Sequence, residues 1–193
     1  MAESITIEAW TGGTIGNPTY TDISSGFRFR TDDSPATIDN TAPILIPTSG
    51  FHYSYVLYMG LNLGGTFTSI TNIKIYSDGS LGWSLGTGGG VYIGQLTAGP
   101  PHGLTAAQYV PATGTPGETG TEMTTLNTNV NSVTSLYGFT SASPCSIDET
   151  EYTATGRTKC AVLQVKVDTA ANGAADGVYT GETYTWQYDV IGA

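Results

Sequence analysis

The chain has 193 residues, of which 39% are hydrophobic and only 11% charged, against roughly a quarter charged in an ordinary globular protein. Its 16 acidic and 6 basic residues give a formal charge of −10 and a pI near 4.2. That balance argues against nucleic acid as a partner, since so few Lys and Arg cannot neutralise phosphates, and against anionic membranes for the same reason.

Thr outnumbers even the 26 glycines, and the 12 tyrosines outnumber every other aromatic. Thr and Tyr favour strands and Gly marks turns, so the composition predicts a single all-β domain spanning residues 1–193. The acidity reads first as a solubility feature, and otherwise as a means of binding cations or docking on a basic surface. The start, MAESITIEAW, has neither a basic region nor an apolar run of signal-peptide length. No stretch approaches the ~20 apolar residues of a membrane helix.

Residues 4–10 (SITIEAW) alternate Ile5, Ile7 and Ala9 against Thr6 and Glu8, which predicts a first strand. Gly12, Gly13, Gly16 and Pro18 then predict a long loop. Residues 26–31 (GFRFRT) read as a second strand, with Phe27 and Phe29 inward and Arg28 and Arg30 side by side outside. Asp32, Asp33 and Asp39 follow closely enough to pair with both arginines. Residues 42–47 (APILIP) are a short apolar strand fenced by prolines, hence an edge or a strand start. Residues 51–59 (FHYSYVLYM) are apolar on both faces, which places that strand near the middle of a sheet.

Residues 70–76 and 81–85 flank Asp78-Gly79, a hairpin signal because both turn residues tolerate positive φ. The GTGGG at 86–90 predicts another hairpin leading into residues 91–96. It lacks the Lys-Ser/Thr and following helix of a phosphate loop, so it reads as a turn. Residues 99–121 are irregular, with one helical turn expected at 104–109. Met123, Leu126, Val130, Val133 and Tyr137 are spaced three and four apart and predict one short helix, against the poor helix propensity of the Thr, Asn and Ser between them.

Residues 160–168 (CAVLQVKVD) predict a strand with Ala161, Leu163, Val165 and Val167 inward. Asn172-Gly173 and Asp176-Gly177 turn the chain into residues 181–191 (GETYTWQYDVI). There Tyr184, Trp186, Tyr188 and Val190 share one face, and Thr183, Thr185, Gln187 and Asp189 the other. This aromatic strand is the one around which the rest is expected to be organised. About nine strands at these spacings predict a single antiparallel β-sandwich, jelly-roll or immunoglobulin-like, with long Gly/Pro/Thr-rich loops and at most one short helix.

Few residues carry a chemical signature. Cys145 and Cys160 enclose fourteen residues, and a disulfide between them would stabilise by roughly 3 kcal/mol; the alternative is two free thiols. Two cysteines cannot build a zinc site unaided, and His52 and His102 each stand alone. No G-x-S-x-G elbow is present. The acidic residues Asp32, Asp33, Asp39, Asp148, Glu149, Glu151 and Asp176 fall mostly in loops, away from the inward strand positions where a glycosidase would place its paired carboxylates. Asp168, Asn172 and Asp176, or the loop from Asp32 to Asp39, offer oxygens to calcium without matching an EF-hand. Trp10, Trp83 and the tyrosines form either a sugar-stacking face or core packing. No catalytic, cofactor-binding or metal-binding residue is nominated.

The MAESITIEAW start, the loops TGTPGETGT and DTAANGAADG, and the closing strand TYTWQYDV together resemble β-sandwich structural proteins of tailed-virus particles, of the head decoration or cement type. The resemblance assigns no individual residue. It implies a non-enzymatic virion protein, made in the host cytoplasm without a signal peptide. Such a protein binds other copies of itself and a capsid lattice through loops and exposed edges, and has no cofactor. A carbohydrate-binding module or adhesin head, extracellular and presenting Tyr and Trp to glycans, is the second reading. A β-sandwich glycan hydrolase or lyase is the third.

Overall fold

The structure, a computed structural model, describes residues 3–14, 17–96, 122–126, 128–177 and 181–192. Within these the chain is all-β and sandwich-like, built from antiparallel sheets. The larger sheet has β1 (Glu3–Thr14), β2 (Asn17–Asp22), β3 (His52–Tyr53), β4 (Leu57–Gly65), β6 (Gly90–Leu96), β7 (Val130–Ser135), β9 (Gly156–Arg157) and β10 (Ala161–Val167). Its order is β2-β1-β4-β10-β6-β7, with β3 on β10 and β9 on β4. The smaller sheet has order β11-β5-β8, from β5 (Ser69–Tyr76), β8 (Cys145–Asp148) and β11 (Thr185–Ile191).

The central strands are those with the most continuous apolar sequence. β10 (AVLQVKV) lies between β4 and β6 and is buried on both faces, with Ala161, Val162 and Leu163 at 0% exposure. One face, with Ala9, Leu57, Met59, Val91, Ile93, Leu163 and Val165, joins Ile75 and Cys145 of the smaller sheet in the main core. Leu61, Leu63, Ile70, Ile73 and Tyr152 continue that core. Each fully buried Leu or Ile side chain contributes about 2 kcal/mol. A separate cluster of Trp10, Val56, Tyr58, Cys160 and Val162 is joined by Met123 of α1 (Met123–Leu126). The Met123 N–H also donates to Gln164 Oε1 at 2.9 Å, which fixes α1 to β10.

The strands predicted at 4–10, 70–76, 91–96 and 160–168 form, and the run at 51–59 lies mid-sheet, split into β3 and the start of β4. Several local expectations are corrected. The loop expected after Trp10 is a hairpin, because β1 runs on to Thr14 and Trp10 pairs with Tyr20 of β2. Residues 26–31 and 42–47 form no strand and belong to no sheet. Asp78-Gly79 does not close a hairpin, since Tyr76 pairs with Thr185 while Leu85 bridges to Ala174. Residues 86–89 turn as expected, with Gly89 N–H donating to Gly86 O at 3.0 Å, but the turn closes no hairpin with residues 81–85, since β6 pairs with β10 and β7. The helix predicted over 122–137 is cut to the four residues of α1, followed by strand β7.

The closing aromatic strand is at the edge of the smaller sheet. Trp186 and Tyr188 pack inward as the alternation predicts, but Val190 is 39% and Ile191 61% exposed. Residues 99–121, including the expected helical turn, His102 and the TGTPGETGT loop, lie outside the described residues.

Candidate functional site

The segment from Ile23 to Thr31 leaves β2 and runs along the inner side of the larger sheet, tied down at intervals by its own backbone. Ile23 N–H donates to Ile7 O at 2.8 Å, Arg28 N–H to Pro35 O at 2.9 Å and Thr31 N–H to Ala42 O at 3.1 Å; Arg30 O accepts from Tyr55 N–H at 2.6 Å. Alternation along this path buries Phe29 and half-buries Phe27 in the main core.

Arg30, only 4% exposed, organises the loop that follows. Its Nε and Nη2 donate to Asp32 Oδ1 and Oδ2 at 2.6 and 2.9 Å, and Nη1 to Asp39 Oδ1 at 2.7 Å. The remaining N–H groups reach Thr37 O at 3.0 Å and Thr41 Oγ1 at 2.6 Å. All five guanidinium donors are thereby used. The hydrogen bond that Arg30 donates to Asp32 chiefly, and the one to Asp39, raise its pKa against the opposing effect of burial. Thr41 foremost, with Arg30, holds the Asp39 carboxyl at about 2.

This tethered loop roofs a groove with two lobes, of about 350 and about 580 Å³. Arg28, Phe29, Ile38 and Trp83 line both. Leu85 and Val167 floor the smaller lobe, and Tyr184, Trp186 and Glu182 wall the larger. The rings lock one another edge-on: Phe27–Phe29 centroids are 5.4 Å apart at 78°, and Phe29–Trp83 6.3 Å at 82°. Tyr184 lies 5.9 Å from Phe27 and its hydroxyl 3.1 Å from that of Tyr137. Burial, chiefly, pushes the Tyr184 phenol up to about 12 and Tyr137 up as well, so both are neutral donors at ordinary pH. Glu182 Oε1 accepts the Gly82 N–H at 2.8 Å, joining the two walls.

An aromatic groove with a few polar groups at its margins is a ligand-binding geometry. Among the described residues its carboxylates are Asp39 and Glu182, both held by protein donors. Asp39, with its pKa driven down, is the opposite of the raised general acid that glycoside hydrolysis needs.

The residues singled out in sequence fall in scattered places. Cys145 and Cys160 are buried free thiols and form no disulfide; Cys145 belongs to the inter-sheet core and Cys160 to the cluster around Trp10. Of the oxygens offered to calcium, those of Asp32, Asp39 and Asp168 are engaged by protein donors. Arg30 takes the Asp32–Asp39 loop, while Asp168 accepts from Gly88 N–H at 2.9 Å, Thr169 N–H at 2.7 Å and Asn172 Nδ2 at 2.9 Å. Asn172 therefore offers Asp168 a donor. Among the described residues no group of three His, Cys, Asp or Glu is placed to hold a metal ion. His52 Nδ1 is 2.8 Å from Leu45 O.

Of the candidate stacking residues, Trp83 and Tyr184 line the groove, whereas Trp10 is buried edge-on against Tyr20 at 5.7 Å. Arg28, expected to pair with aspartate beside Arg30, has no ion-pair partner among the described residues. Two carboxylates read from sequence as outward-facing or loop residues are buried in strands instead. Glu8, expected to face outward, is 7% exposed and held by Arg157 Nε at 2.6 Å and Asn62 Nδ2 at 3.0 Å. Asp148 is 2% exposed and accepts from Tyr152 Oη at 2.6 Å and Lys159 N–H at 2.9 Å.

Comparison with protein-family models, with curated proteins and with solved structures finds no match to this chain.

Proposed function

We propose that the protein is a non-enzymatic structural component of a virus particle, which binds further copies of itself and a capsid lattice through exposed strand edges. The observation that carries this reading is β11, whose outer edge has no partner strand among the described residues and whose Val190 and Ile191 stand out at 39% and 61% exposure. An open edge ending in exposed β-branched residues is a template for another chain. The structural engagement of the buried carboxylates Glu8, Asp148 and Asp168 also favours a scaffold over a catalyst.

Light scattering on a sizing column over a range of concentrations tests it. Discrete oligomers or growth with concentration are expected, and Val190→Lys with Ile191→Lys returns the protein to monomer. A parent chain that is monomeric at every concentration and does not sediment with capsid shells overturns the reading.

The second reading, a carbohydrate-binding module, is favoured by one specific observation, the groove lined by Phe29, Trp83 and Tyr184.

A further inference from the structure

The chain carries six cationic side chains among sixteen carboxylates. Arg30, Arg157 and Lys159 are in ion pairs, and Lys166 lies 3.8 Å over the Phe51 ring. Arg28 is half-buried and lines both lobes of the groove, yet no described carboxylate pairs with it. Withdrawing a guanidinium partly from water without an anion is unfavourable, and an incoming carboxylate would reverse that cost through a bidentate contact. Phe27, Trp83 and Tyr184, all half-buried, line the larger lobe together with Arg28. Glu182 lines the same lobe, and beyond its bond to Gly82 N–H and its hydrogen bond with Tyr137 a carboxylate keeps acceptor capacity.

We infer that the groove binds an acidic saccharide: Arg28 takes the carboxylate of a uronic-acid ring, the aromatic side chains stack on its C–H faces, and Glu182 accepts its hydroxyls. This site goes beyond the particle-building role and rests on the groove alone. A protein tail ending in a free carboxylate would share the charge but needs backbone partners to lie as a strand. The wall that would pair with it is already committed, since Arg28 N–H goes to Pro35, Thr31 N–H to Ala42 and Arg30 O to Tyr55. A saccharide needs none of those groups.

The test uses trigalacturonate, its fully methyl-esterified form and a short apolar peptide with a free C-terminal carboxylate, each titrated into the full chain. Calorimetry and the Trp83 and Trp186 indole N–H resonances report binding. Trigalacturonate is expected to bind at millimolar concentrations or below and to shift both resonances. The ester, and the Arg28→Gln variant with the acid, should bind about tenfold more weakly or worse. Arg28→Lys should recover part of the loss, and an unchanged amide spectrum in both variants shows that the fold is intact. Equal affinity for acid and ester, unaltered binding to Arg28→Gln, no response to trigalacturonate, or binding of the peptide in its place each overturns the proposal.

Discussion

Ser54 and Thr158 make the same repair at two breaks in one ladder. Ser54 lies in the gap between β3 and β4, and Thr158 in the gap between β9 and β10, where these interrupted strands face each other. Each hydroxyl accepts the main-chain N–H of the facing strand, from Val165 at 2.9 Å and from Leu61 at 3.0 Å. Each then donates to the carbonyl of the next residue, Tyr55 and Lys159, both at 2.8 Å. Both residues are 0% exposed, so without the hydroxyls two buried backbone donors would be orphaned.

Ser54→Ala and Thr158→Val should therefore each cost about 1–3 kcal/mol, seen as a lower urea midpoint at unchanged slope. Ser54→Thr should retain much of the stability. If both deletions unfold within about 0.3 kcal/mol of the parent, the hydroxyls are not satisfying those donors.

Arg30→Lys removes the fork that reaches Asp32, Asp39, Thr37 and Thr41 at once. An ammonium with three donors cannot span them, and a loss of about 3 kcal/mol or more is expected from breaking a buried ion pair. Hydrogen exchange should accelerate at the amides of Thr31, Thr37 and Thr41, which close the loop. Protection of those amides at parental levels would show that the loop holds itself.

Asp148 sets a pH dependence. Burial works to raise its pKa, but hydrogen bonds from Tyr152, Lys159 and Thr150 outweigh burial and hold it below the ordinary range. The unfolded chain then takes up the proton first. The stabilisation is complete above the unfolded value of about 4 and is lost as pH falls through the folded one. Asp22, Asp39 and Asp168 are shifted the same way and share in the acid loss. Asp148→Asn should be less stable than the parent at neutral pH, with the gap narrowing on acidification. A constant gap from about pH 7 to about pH 3 would contradict the assignment.

Burial pushes both thiols up, Cys160 the further. Neither should react with an alkylating agent until the protein unfolds, and the melting temperature should be the same with and without reductant. Rapid labelling of Cys160 in the native state would show that its cluster opens readily.

What could be read from sequence was what depends on near neighbours along the chain. β5 and β10 announce themselves by apolar pattern and form where expected. β7 misleads for a physical reason. Its pairing with β6 shifts register between Ile93 and Gln95, and Ser132 adopts φ 52°. The irregularity brings Val130 and Val133, three residues apart, against one cluster, so a strand imitates helical spacing. Gly94 is where they converge: an added Cβ would lie 2.5 Å from Val130 Cγ1 and 3.2 Å from Val133 Cγ2. The ion pair of Glu8 with Arg157 joins residues 149 positions apart, beyond any local pattern. The groove was half legible. Its aromatic residues stood out, but the unpaired state of Arg28 depends on Arg30 having taken the nearby aspartates.

Three strands face eight, and the loop from Asp32 to Ile44 lends Ile38, Asn40 and Pro43 to the lining of the groove. Its attachment is concentrated on one arginine rooted in the chain before it. Insertions or exchanges in residues 33–38 would reshape the mouth of the groove while leaving both ladders untouched. Loop and ladders thus rest on separate backbone contacts, an arrangement in which the groove's mouth can be recast at little risk to folding.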